Sequence, residues 1–135
     1  MSDTTKVKNL WGKLPIEDNI RTPYIILKEQ ASILTEATNG LLIGKVIKKR
    51  DSLDNINCDL IIKVPSLDNY TISIVDTIYP VTIYPVEIKG SNAQYYSSCD
   101  TEEEIENTLS TILSSEEVRR IISGLLSEVR ADDKE

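Results

Sequence analysis

Apolar residues recur along this chain in two rhythms, one close to 3.6 residues and one of two, and the switches between them mark the elements. Over 1–21 neither rhythm holds. Trp11, Leu14, Ile16 and Ile20 are isolated apolar points in a polar stretch, which reads as an N-terminal arm that Trp11 partly orders by docking on the body. Thr22 before Pro23 is a helix start: the hydroxyl caps free N–H groups and proline suits the first helical position. Ile26, Leu27, Gln30, Ala31, Ile33, Leu34 and Ala37 then follow at helical spacing, and Asn39-Gly40 supplies a left-handed stop, predicting a helix over 23–38. A strand follows over 41–49, with Gly44 weakening it or marking a bulge. The turn-forming run 51–57 leads into a second strand in which Cys58, Leu60, Ile62 and Val64 alternate with Asp59, Ile61 and Lys63. After a tight connection over 65–69, Tyr70, Ile72 and Ile74 alternate with Thr71, Ser73 and Val75. This predicts a third strand with Tyr and Ile inward and Thr and Ser outward.

Residues 77–86 repeat Thr-Ile-Tyr-Pro-Val twice. A period of five puts equivalent residues of the copies on opposite faces of a strand unless a bulge intervenes. Pro80 and Pro85 each lack a ladder donor, so an edge strand or a bend at Pro80 is expected. Gly90-Ser91-Asn92 reads as a hairpin turn before a last strand over 93–98. Thr101 with Glu104 forms a capping box, and Asp100 with Glu103 offers one in the neighbouring register. The stripe of this helix is Ile105, Leu109, Ile112 and Leu113. Ser114 with Glu117 caps a final helix whose stripe runs Val118, Ile121, Ile122, Leu125, Leu126 and Val129. The predicted organisation is an arm over 1–21, a single α+β domain over 22–130 and a frayed tail over 131–135. Within the domain, an antiparallel sheet of about five strands carries one N-terminal and two C-terminal helices on one face.

Composition narrows the chemistry. The chain of 135 residues has no Phe, one Trp and six Tyr, so Ile, Leu and Val must fill the core. It carries a net charge of −7, which opposes nucleic acid and anionic membrane surfaces and suits a protein partner. The basic cluster Lys45, Lys48, Lys49 and Arg50 reads as a solvated strand end. Cys58 and Cys99 make neither a disulfide framework nor a zinc spacing. A cytoplasmic location with both thiols reduced is expected.

The chain contains no histidine, which removes the commonest general base and the commonest neutral metal ligand. Five scattered glycines form no phosphate-cradling loop. Cys58 shares the inward-facing set of Leu60 and Ile62 and reads as a small core residue. Cys99 precedes a helix start, yet Asp100 and the glutamates after it oppose a thiolate there. Asp51, Asp54, Asp59, Asp68 and Asp76 lie in or beside strand connections, where a pair can meet to hold a divalent cation or act as acid and base. Tyr79, Tyr84, Tyr95 and Tyr96 cluster late in the sheet and are the candidate interaction surface, since tyrosine offers large contact area at low entropy cost. No catalytic residue, cofactor or metal is expected.

Several segments carry a resemblance: Ile20-Arg21-Thr22-Pro23 leading into Lys28-Glu29-Gln30-Ala31, then Leu67-Asp68-Asn69-Tyr70, then Ile83-Tyr84-Pro85-Val86, and an acidic-capped helix pair at the end. Over about residues 10–128 this order is similar to a family of short uncharacterised bacterial proteins. The resemblance implies no activity and no site residue. The expected function is therefore a non-enzymatic protein–protein interaction module, such as a small acidic inhibitor or immunity-type regulator. The alternatives are a small-ligand domain with a pocket between sheet and helices, and a carboxylate or metal-dependent enzyme.

Overall fold

Local signals set most of the element boundaries. The computed structural model describes residues 7–90 and 95–133, with side chains through 131. Helix α1 spans Pro23–Ala37. The Thr22 hydroxyl accepts from the Ile25 N–H, and the chain leaves the helix through Asn39 and Gly40, both at positive φ. Helix α2 spans Glu102–Leu113, with Thr101 accepting from the Glu104 N–H at 3.1 Å and Glu104 accepting from the Asp100 N–H at 2.7 Å. Helix α3 spans Glu116–Asp133, so residues 131–133 continue the helix where fraying was expected. Its cap also differs from expectation. Ser114 ends α2, its hydroxyl donating to the Ser110 carbonyl, and Ser115 accepts from the Val118 N–H instead. Among the described residues no helix is long and apolar enough to cross a membrane.

Among the described residues five strands lie between α1 and α2: β1 Ile43–Arg50, β2 Ile56–Val64, β3 Tyr70–Tyr79, β4 Val86–Gly90 and β5 Tyr96–Cys99. They pair antiparallel in chain order, so β1 and β5 are the edges. The class is α+β as predicted, with one helix before the sheet and two after it. The Lys and Arg residues of β1 charge one edge, which discourages edge-to-edge pairing. The turn expected at 90–92 falls largely outside the described residues; beyond it, Gly90 N–H donates to the Tyr95 carbonyl.

Strand β3 departs from simple alternation. Leu60 pairs with Val75 and Ile61 with Ser73, leaving Ile74 as an extra residue in a bulge. The phase slips there, so Ile74 and Val75 are both buried, and the outward place expected for Val75 is wrong. The Thr-Ile-Tyr-Pro-Val repeat is neither one strand nor an edge. Its first copy ends β3, Pro80 starts a turn closed by Ile83 N–H to the Pro80 carbonyl at 2.8 Å, and Pro85 follows a cis peptide just before the interior strand β4.

All three helices cover the sheet face that presents Cys58, Leu60, Ile62 and Val64. The core divides along the strands. Ile26, Leu27, Ile105 and Leu109 of α1 and α2 pack on Cys58, Leu60, Val86 and Ile88. Val118 and Val129 of α3 pack on Leu42, Ile62, Val64 and Ile74. Helix α1 lies so close to β1 that a Cβ on Gly44 would stand 2.5 Å from the Ala31 carbonyl oxygen. The Thr35 hydroxyl bridges the contact, accepting from Gly44 N–H at 2.9 Å.

Candidate functional site

The four candidate tyrosines do not form one surface. Tyr79 is 3% exposed, on the helix-covered face, with its hydroxyl 3.6 Å from the Cys58 sulfur. Burial pushes its phenol well above the usual range. Tyr84 is half-buried against the same core. Tyr79 is thereby removed from any docking surface, because the bulge in β3 turns it inward. Tyr95 and Tyr96 remain exposed at the β5 edge, where Glu87 bonds the Tyr96 hydroxyl and raises its pKa.

Of the five aspartates, the register brings two together. Asp59 and Asp76 are cross-strand partners on the helix-free face. Asp59 accepts from the Ser73 hydroxyl at 2.5 Å, and Asp76 accepts from the Asn57 amide at 2.8 Å. Burial raises the Asp59 carboxyl, the Ser73 bond and Lys49 oppose the rise, and Asp76 adds to it. The others serve their own turns. Asp51 accepts from the N–H groups of Leu53 and Asn55, which lowers its pKa. Asp54 pairs with Arg50, and Asp68 takes the left-handed conformation after the 3-10 turn Pro65–Leu67. Among the described residues no three His, Cys, Asp or Glu side chains converge as metal ligands.

Both thiols are buried. Cys58 is raised chiefly by burial, and Cys99 sits 3.4 Å from the Thr108 hydroxyl. For Cys58 that burial favours the inert thiol over the nucleophilic thiolate.

An apolar cleft lies between the helices. Helix α1 sits on the β1 side of the sheet, and α2 with α3 covers the rest, leaving a cleft above β2 and β3. Its floor is Leu60, Ile62 and Ile74. One wall is Ile33, Leu34 and Ala37 of α1; the other is Leu113, Val118 and Ile122. Its volume is about 230 Å³. Through Gln30 and Leu113 it continues into a hollow between α1 and α2 bordered by Glu106, Ser110 and Arg119. Through Leu113 and Ile122 it continues along α3 towards Ser123, Ser127 and Arg130. The result is one groove with an apolar middle and a polar rim.

The helices flanking it carry more apolar surface than the core covers. On α3, Val118 and Val129 are buried while Ile121, Ile122, Leu125 and Leu126 are only half-buried; on α1, Ile33 is 57% exposed. The sequence held this signal in the width of the two stripes, but width alone does not say which part the sheet leaves uncovered. At the α1–α2 end of the groove, Arg21 holds the two helices together, bonding Glu29 at 2.5 Å, Glu102 at 2.9 Å and Glu106 at 2.6 Å. The three carboxylates raise the guanidinium pKa further, and Arg21 lowers that of Glu29.

Set against protein-family models, curated proteins and solved structures, the chain matches none of them.

Proposed function

We propose that this domain is a protein-interaction module that grips an apolar segment of a partner protein in the groove between α1 and the α2–α3 pair. The observation that supports it is the groove itself: a solvent-open apolar middle bordered by polar side chains, the anatomy of a docking site. The hollows that continue the groove, about 470 and 540 Å³, are open and polar-rimmed, so what can grip is the apolar middle. Sites for drug-sized molecules run to about 300–1,000 Å³. The apolar middle is about 230 Å³, with Gln30 as its one polar border. That volume suits one or two large side chains. A partner held this way is masked without chemistry, which is how a small inhibitor or immunity-type regulator works.

The test uses Ile33, whose exposure makes it a safe place for a charge. A photo-crosslinking residue at position 33 attaches a partner in the native cell, and one at Tyr70 on β3 does not. Ile33→Glu, with an unchanged melting temperature, weakens capture of that same partner at least ~10-fold, as loss of an interface anchor does. Equal capture by wild type and variant refutes the reading.

A further inference from the structure

The chain also carries a segment with the complementary character. Residues 7–20 form no helix or strand, but 9–12 are locally ordered. The Trp11 N–H donates to the Asn9 side-chain oxygen at 2.9 Å, and the Asn9 amide donates to the Gly12 carbonyl at 3.0 Å. Gly12 has φ +69, the left-handed region glycine enters freely. Around this turn Leu10 and Trp11 are 86% and 80% exposed, and Ile16 beyond them is 84% exposed. Docking of Trp11 on its own body, expected from the sequence, is therefore not what the structure shows. Val7, Leu10, Trp11 and Ile16, each more than 70% exposed within ten residues, exceed the singly scattered apolar residues of an ordinary surface.

We infer that residues 7–16 of one copy occupy the α1/α2–α3 groove of a second copy, and that the exchange is reciprocal. The inference rests on the groove reading above and names its occupant. The observations favouring a second copy are three. Each chain has an open apolar receptor and an unburied apolar ligand, so a two-fold dimer satisfies both surfaces of both copies without any other molecule. The charges match: residues 7–16 contain Lys8 and Lys13 and no acid, while the whole chain is −7 and at the α1–α2 end of the groove Glu29, Glu102 and Glu106 outnumber Arg21 and Arg119. The areas match too. A tryptophan buries about 150–250 Å². Two of them, with Leu10 and Leu14 beside each and the groove surface they cover, approach the ~1,000 Å² of a specific interface.

Trp11 is the chain's one tryptophan, so its fluorescence reports this site alone. Sedimentation and emission are followed on the full chain over a concentration series. Dimer mass and a blue shift of Trp11 emission should appear together as concentration rises. Trp11→Ser and Ile33→Glu should each weaken self-association at least ~10-fold, as removal of a hot-spot anchor does, with a melting temperature that matches wild type at concentrations where both are monomeric. Mixing them is the decisive arm. Ile33→Glu keeps an intact arm and Trp11→Ser keeps an intact groove, so the mixture restores the blue shift that Ile33→Glu alone lacks. The inference is overturned by a monomer with solvent-like emission at every concentration, by a blue shift at monomer mass, or by a dimer that Trp11→Ser leaves intact. Those outcomes leave the groove reading standing if the crosslinker at position 33 still attaches a partner. Both readings fall if it does not.

Discussion

Replacing Gly44 by alanine tests how tightly the helix layer is seated on the sheet. In a strand interior this change ordinarily helps: alanine costs the unfolded chain entropy, a gain of about 0.4–1 kcal/mol wherever the site accepts it. Here the new methyl would lie 2.5 Å from the Ala31 carbonyl oxygen, 2.7 Å from its Cα and 2.9 Å from its carbonyl carbon. All three are backbone atoms, so no rotamer change relieves the clash and α1 itself must lift. Overpacking of this kind costs about 1–3 kcal/mol. Lifting also stretches the Thr35–Gly44 bond, whose loss costs about 1 kcal/mol. The net expectation is a destabilisation of about 1–3 kcal/mol, and with a urea dependence of about 2 kcal/mol per molar the midpoint falls by roughly 0.5–1.5 M. Equilibrium urea denaturation followed by circular dichroism measures it. Because the ordinary effect has the opposite sign, a midpoint equal to or above wild type refutes the close approach of α1 to β1.

Two further outcomes follow from the charged groups. The Asp59 carboxyl is raised in the folded state, so the native protein binds the proton more tightly than the unfolded chain, and the stability it carries falls as pH rises through that raised pKa. Asn at 59 keeps an acceptor for the Ser73 hydroxyl without the buried charge; Asp59→Asn should melt with wild type near pH ~3 and above it near pH ~7, and equal melting at both refutes the reading. Arg21→Gln removes the cation shared by Glu29, Glu102 and Glu106 and leaves three carboxylates facing one another. Its melting temperature should drop at low ionic strength and recover towards wild type in ~1 M salt, where charges are screened within about 3 Å; a salt-independent drop points to lost packing instead.

What could be read in advance was what depends on neighbours in sequence. Thr22-Pro23 and Thr101 with Glu104 fixed two helix starts because a cap acts within one turn. Ser114 and Ser115 are adjacent and equally able to cap, and the choice between them was made by where α2 ends. The strand order followed from short connections, but the face of Val75 and Tyr79 did not, because a bulge arises from pairing with another strand and leaves no local mark. The meeting of Asp59 with Asp76 depends on that same register. The groove was hidden for a related reason: the stripes of α1 and α3 declare apolar surface, and only the spacing of the helices over the sheet decides how much stays open.

The surplus residue in β3 gives the sheet a tolerance that its partner strand lacks. Removing Ile74 would lose one side chain, yet Ser73 and Val75 would close up with every remaining residue of the strand still on its own side. Removing one residue from the middle of β2 offers no such slack: Cys58, Leu60, Ile62 and Val64 could not all stay under the helices, since a slip of one position exchanges the two faces. Natural length variation in this fold is therefore expected to collect at the 73–75 stretch and to spare the strand beside it.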